Sequence, residues 1–255
     1  MVSGREDITH SFDTDSDSGT PESEWRAWDR TFPPLDLTRC SKLVVVAPHP
    51  DDEVLGVGGL MSMAAAAGIE ITVIAVTDGG ASHPGSPTLS PADLVSERPR
   101  ESERAVARLG VRNAPTRLGF EDGAIAEHED ELAHVLTDSL HGGPGTWCLT
   151  PWRGDGHPDH EATARACITA ASRTGIAILE YPIWMWHWAC PDHPDVPWSR
   201  AFEVDLDANA REAKEAAVQE FRTQISPLSE HPDDRAVLPP FALERLLRPR
   251  EVIFG

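Results

Sequence analysis

Short runs of β-branched residues alternate with stretches of helical periodicity along most of this chain, and that alternation constrains its fold more than any other feature. "LVVVA" (43–47) reads as a buried strand, and "VLGVGGLMSMAAAAG" (54–68) as a helix that closes on Gly68. "IEITVIAVT" (69–77) is a second strand. The pattern continues with "ESERAVARLG" as helix, "TRLGF" as a weak strand, "EDELAHVLTDSL" as helix, "TWCLTP" as strand and "DHEATARACITAAS" as helix. "IAILEYP" and "AFEVDL" are strands, and "DANAREAKEAAVQEFRTQ" is a helix with Asp207 as its N-cap. Strands separated by helices of this length predict an α/β, Rossmann-like fold: a mostly parallel sheet with helices on both faces. In such sheets ligands bind at the carboxyl ends of the strands.

That rule sorts a tripeptide which occurs four times. His-Pro-Asp stands in "HPDDE" (49–53), "GHPDH" (156–160), "DHPDV" (192–196) and "EHPDD" (230–234). His49 follows the strand "LVVVAP" directly, and His157 follows "TWCLTP" after the short loop "WRGDG". Both lead into helices, so both sit where an α/β sheet builds its site. His193 and His231 follow no strand and enter proline-rich loops, where Asp and Pro serve as turn formers.

The first two copies also carry the right donors. His49 and Asp52 are three residues apart on a turn entering a helix, as are His157 and His160. Two imidazoles and one carboxylate, from His49, Asp52 and His160, make an N/N/O metal site with positions left open for water, which suits zinc. Asp51, beside the ligand Asp52, is then free to take a proton from water. His157 is likewise surplus, and could stabilise an oxyanion or protonate a leaving amine. Asp159 could hold His157 in one tautomer, as a triad aspartate orients its histidine.

"VVVAPHPDDEVLGVGGLM" together with "HPDH" resembles the PIG-L/LmbE-like family of metal-dependent N-acetylglucosamine deacetylases, supported by "TDGGASHPGS", "RPRESERAVARLGV" and "KEAAVQEFRTQ". The resemblance implies removal of an N-acetyl group from an amino-sugar conjugate, with Zn2+ (or Fe2+) on His49, Asp52 and His160. It also implies Asp51 as base, His157 as the oxyanion or acid histidine, and Arg98, in an R-x-x-E pattern with Glu101, as a ligand of sugar hydroxyls. Two positions depart from the pattern. Asp155, expected among the substrate-binding residues, stands where mycothiol-pathway relatives carry a helper tyrosine, and Phe221 where relatives often have His. Both departures point to a different acceptor. The aromatic run "YPIWMWHWACPDHPDVPW" (181–198), if extended, puts Trp184, Trp186 and Trp188 on one side, where Trp186 either stacks on an aglycone or covers the core. His187 between them is read as incidental.

The resemblance implies a small-molecule, lipid-linked or aglycone-linked amino sugar as partner, and composition argues against the other classes. With 22 Lys and Arg against 42 Asp and Glu, the net charge is −20, a surface that repels nucleic acid and anionic lipid. No segment reaches the roughly 20 apolar residues of a membrane span. The N-terminus lacks the pattern of a signal peptide, so a cytoplasmic location is expected. Residues 1–24 hold seven acidic groups and little that is apolar, which predicts a mobile tail before a single domain over 25–255. The four cysteines are far apart and are expected to be buried, inert thiols. Among rival readings, a non-haem iron enzyme uses the same triad but sets it on an all-β fold. "GVGGLM" fails the dinucleotide-binding pattern at Met61. A non-catalytic sugar-binding module leaves Asp51 without a purpose.

Overall fold

The computed structural model describes residues 18–255. Helix α1 (Glu22–Ala27) precedes β1 (Lys42–Ala47), α2 (Asp52–Ala66), β2 (Glu70–Thr77), α3 (Pro91–Arg108) and β3 (Thr116–Phe120). Then come α4 (Glu129–Ser139), β4 (Thr146–Pro151), α5 (Pro158–Thr174), β5 (Ala177–Tyr181) and the single turn α6 (Met185–Trp188). The chain closes with β6 (Ala201–Asp205), α7 (Ala208–Val218), the short α8 (Arg222–Ile225), α9 (Pro240–Leu246) and β7 (Arg250–Phe254). The seven strands form one sheet in the order β3-β2-β1-β4-β5-β7-β6. The five strands from β3 to β5 are parallel, and β7 runs antiparallel to both β5 and β6.

β1 shows why this layered arrangement suits the sequence. Leu43 and Val45 enter the core on the face covered by α2, α3 and α7, while Val44 and Val46 enter the core under α4 and α5. A strand buried on both faces needs an unbroken apolar run, and "LVVV" supplies one. The chain leaves β1 outward to β2 and β3, then returns to place β4 on the other side of β1. That reversal opens a crevice between the loops that follow β1 and β4.

Several boundaries differ from expectation. α3 starts ten residues before the expected helix, because Ser90 and Asp93 form a reciprocal capping box ahead of Pro91. The expected helix over 207–224 breaks into α7 and α8, with Asp207 capping the first as read. The antiparallel β7 was not anticipated. The segment expected to be a mobile tail already contains the start of α1, where Glu22 is buried and receives Arg248 at 2.6 Å. The rest of that expectation falls on residues 1–17, outside the described residues. Cys40, Cys148 and Cys167 are buried, but Cys190 is exposed at the start of the loop after α6.

The glycines of "GVGGLM" serve packing. A Cβ on Gly56 would lie 2.2 Å from the Tyr181 ring, and one on Gly59 would lie 2.4 Å from Leu206. α2 kinks at Val57, and the backbone N–H groups of Gly59 and Leu60 donate to the Glu251 carboxylate at 2.8 Å each. Lys214 binds the same carboxylate at 2.7 Å and donates to Leu55 O at 2.8 Å. The buried ion pair therefore holds both sides of the kink.

Candidate metal and catalytic site

The loops after β1 and β4 bring His49, Asp52 and His160 together, all three buried. Asp52 Oδ2 lies 3.1 Å from His49 Nδ1 and 3.3 Å from His160 Nε2. Ligands about 2.0–2.2 Å from one zinc ion lie roughly 3.3 Å from each other in tetrahedral coordination, so the spacing fits a shared cation. The remaining nitrogen of each imidazole is occupied. His160 Nδ1 donates to Asp155 Oδ2 at 2.8 Å, while His160 Nε2, though buried, makes no hydrogen bond. His49 Nε2 lies 3.1 Å from both Asp122 Oδ1 and Asp159 Oδ2. Carboxylates on the far nitrogens of two histidines, with the near nitrogens facing a third ligand, are the outer arrangement that metal-binding histidines carry.

The electrostatics follow from burial and proximity. Burial alone would raise Asp52, but His160 and His49 outweigh it and hold its carboxyl well below the usual range. Burial would depress His160, yet Asp52 and Asp155 lift it to about 9. His49 is likewise raised against its burial by Asp122, Asp159 and Asp52.

Asp51 occupies the strained point of the turn, with φ 151° and ψ −30°. Such a conformation costs an L-residue on the order of 1–3 kcal/mol and is tolerated when the surroundings over-determine it. Here the Asp51 N–H donates to Glu53 Oε2 at 3.1 Å and its carboxylate accepts from Arg98 Nη2 at 3.1 Å. Burial lifts Asp51 to about 7, Arg98 opposing and Asp52 reinforcing the rise. Arg98 also donates to Gly79 O at 2.9 Å and Pro50 O at 3.2 Å. Both terminal nitrogens are thus committed to the protein, and only Nε, buried without a hydrogen bond, remains of the guanidinium expected to hold sugar hydroxyls.

His157 is the N-cap of α5, and its Nδ1 accepts the backbone N–H of Asp159 at 3.2 Å. In a neutral ring the proton then sits on Nε2. Burial depresses His157 to about 3, with His160 and His49 adding to the effect. Three of the four His-Pro-Asp copies share this turn: His193 Nδ1 accepts from Asp195 N and His231 Nδ1 from Asp233 N. Neither His193 nor His231 joins a metal-capable cluster among the described residues.

Three residues are placed differently from what their expected roles suggest. The Asp159 carboxylate faces His49 and accepts the N–H groups of Gly123 at 2.7 Å and Ile125 at 3.2 Å, while it is the backbone N–H of Asp159 that donates to His157 Nδ1. Helical residues two apart point to different sides, whereas His157 and His160, three apart, share one. Asp155 is fully buried; besides His160 it accepts the N–H groups of Ile183, Trp184 and Met185 at 2.9–3.0 Å. Trp186 lies outside the site. Residues 185–188 form a helical turn, so the three tryptophans diverge instead of sharing a side. Trp186 packs edge-on against Trp25 at 4.9 Å, Trp188 stacks on Trp152, and Trp184 lines the cavity over the cluster. His187 is buried against Arg245 and belongs to no metal-capable cluster of the described residues.

The cavity over the cluster encloses about 220 Å³ and is bordered by Asp51, Arg98, Asp122, His157, Trp184 and Gln224, among others. Asp122 and Gln224 were not singled out from the sequence, whereas Trp184 belongs to the aromatic run that was. For Asp122 a signal existed: it follows "TRLGF" at the carboxyl end of a strand, as His49 does.

Known proteins resemble this chain in sequence and in fold. The chain is 28% identical over 137 residues to diacetylchitobiose deacetylase of Thermococcus kodakarensis, a match that covers 53% of this chain and 51% of that protein. The chain thus spans about half the length of that curated relative. The crystal structure of the conserved protein TT1542 from Thermus thermophilus is similar with a TM-score of 0.55 at 30% identity, covering 72% of this chain and 80% of that one. The A40926 pseudoaglycone deacetylase Dbv21 is similar with a TM-score of 0.61 at 25% identity, covering 84% and 96%. Residues 44–171, half of the chain and the stretch that holds both histidine motifs, match the family described as PIG-L, GlcNAc-PI de-N-acetylase, and the chain belongs to that family.

Proposed function

We propose that this protein is a metal-dependent hydrolase that removes the N-acetyl group from an N-acetylglucosamine-type amino sugar. The observation that carries this reading is the convergence of His49 Nδ1, Asp52 Oδ2 and His160 Nε2, with a buried carboxylate, Asp51, beside them. A divalent cation held there would supply Lewis acidity, lowering the pKa of water toward about 7 and polarising an amide carbonyl. Asp51 accepts the proton of the attacking water, which burial in a low-dielectric turn favours. His157, neutral with its proton on Nε2, donates a hydrogen bond to the oxyanion that develops on the carbonyl oxygen. When the carbon–nitrogen bond breaks, Asp51 returns the proton to the leaving amine, and acetate and free amino sugar result. Arg98 keeps Asp51 in its strained conformation.

Relatives whose names specify a diacetylchitobiose and an A40926 pseudoaglycone support an amino-sugar conjugate as substrate. The N/N/O donor set suits zinc and also ferrous iron. Among the described residues no helix is long and apolar enough to cross a membrane. The enzyme of this reading works in the cytoplasm on a small-molecule or aglycone-linked sugar. The test is metal analysis of the purified protein combined with an assay of acetate release from a panel of N-acyl amino sugars. One zinc or iron per chain with acetate released from an N-acetylglucosamine conjugate is expected; a metal-free protein with no hydrolysis across the panel would refute the reading.

A further inference from the structure

A second, larger cavity lies apart from the metal cluster. It encloses about 340 Å³ between α1 and the α9–β7 segment, and none of His49, Asp52, His157 or His160 lines it. Leu55, in the first turn of α2, borders both cavities. Packed interiors leave few voids larger than a water molecule, whereas small-molecule sites start at about 300 Å³. Its walls are aromatic: Trp25, Trp28, Phe32 and Trp186. The Arg248 guanidinium lies over two of these rings, 5.3 Å from Trp25 and 4.3 Å from Trp186.

The charge around this cavity runs against that of the chain. In a protein of net charge −20, Lys214 and the arginines at 26, 30, 245, 248 and 250 line it, against, among the described residues, the carboxylates of Glu22 and Glu251. Glu251 is neutralised by Lys214 at 2.7 Å, and Glu22 is shared by Arg26 and Arg248. Arg26, Arg30 and Arg250 remain 71%, 38% and 44% exposed. Asp192 and Glu203, which pair with Arg30 and Arg250, do not line the cavity. The Arg30–Asp192 pair is solvent-exposed on both sides and such pairs are weak, so an anion entering the cavity can take over Arg30 and share the exposed faces of Arg26 and Arg250.

We propose that this cavity is a binding site for a flat aromatic molecule carrying one acidic group, with its rings against the tryptophans and its anion at the arginines. The proposal is independent of the deacetylase reading. The test is a fluorescence titration of the full chain with 8-anilinonaphthalene-1-sulfonate and, in parallel, with N-phenyl-1-naphthylamine, which has the same rings without the sulfonate. The sulfonate dye should bind one per chain and about tenfold or more tighter than the neutral one, the size of a charge-assisted hydrogen bond. The R26E/R250E variant should lose that preference while its circular dichroism and melting stay unchanged, and Arg30→Ala, with a smaller loss, serves if the double variant does not fold. Asp51→Asn should bind both dyes as the parent does. Equal affinity for the two dyes, a preference that survives charge reversal, or several dyes per chain would overturn the proposal.

Discussion

The Asp155 carboxylate and the His160 imidazole meet at 2.8 Å with both side chains fully buried, and this contact decides which nitrogen of His160 faces Asp52. With Nδ1 donating to Asp155, the lone pair of Nε2 is directed toward Asp52 Oδ2. Asp155→Asn should therefore weaken metal affinity by about 10–100-fold, the usual effect of losing an outer partner of a metal-binding histidine. Metal titration by competition with a chelator checks this. A variant with parental metal affinity and a raised KM would instead return Asp155 to the substrate-contacting role expected from its tyrosine counterpart.

Asp51→Asn should keep the metal and lose turnover by about 10²–10⁴-fold, because the amide cannot accept a proton. Asp52→Asn, one residue away, should lose the metal itself. Metal content and kcat measured on both variants separate base from ligand. Loss of metal in Asp51→Asn would move the base elsewhere.

The pH response of Asp51 is testable in metal-free protein. Burial raises it to about 7, from 3.8 when unfolded. Because the folded state holds this proton more tightly, Asp51's contribution to stability is full below 3.8 and lost as pH rises through about 7. Carboxyl carbon NMR, assigned by comparison with Asp51→Asn, should show the titration near 7, and zinc should shift it downward, since a cation favours the anion. A titration at the ordinary carboxylate value would contradict the buried environment described here.

Trp186→Ala should destabilise the fold by about 3–5 kcal/mol, the range for truncating a buried tryptophan. Denaturant unfolding reads this. The loss in kcat/KM should be equal for free N-acetylglucosamine and for an extended glycoside, whereas Trp184→Ala should raise KM more than it lowers stability. A selective loss on the extended glycoside in Trp186→Ala would restore the stacking role.

Lys214→Met leaves Glu251 buried with only the backbone N–H groups of Gly59 and Leu60. Breaking a buried pair from one side costs about 3–5 kcal/mol, so the variant should show a clear drop in urea midpoint. An unchanged midpoint would mean that the pair does not hold the α2 kink.

The parallel sheet and the two loops that matter were legible in the sequence, because both rest on local chemistry. An apolar run such as "LVVV" suits a strand buried on both faces, and the i, i+3 spacing of His49 with Asp52 and of His157 with His160 survives any packing. The His-Pro-Asp tripeptide itself was less informative than its context: it makes the same turn at 157, 193 and 231, and only the strand before it marks a site. What the tertiary structure alone decided is where the acceptors point. Asp159 reaches His49 because β1 and β4 are neighbours in the sheet, Asp155 reaches His160 and the turn at 183–185, and Asp122 arrives from β3 across β2. Asp155 and His160 are only five residues apart, but the other partners of these carboxylates are set by contacts between segments 28 to 110 residues apart, which no local pattern encodes. The same holds for Trp186, whose direction was fixed when 185–188 closed into a helical turn and packed against α1.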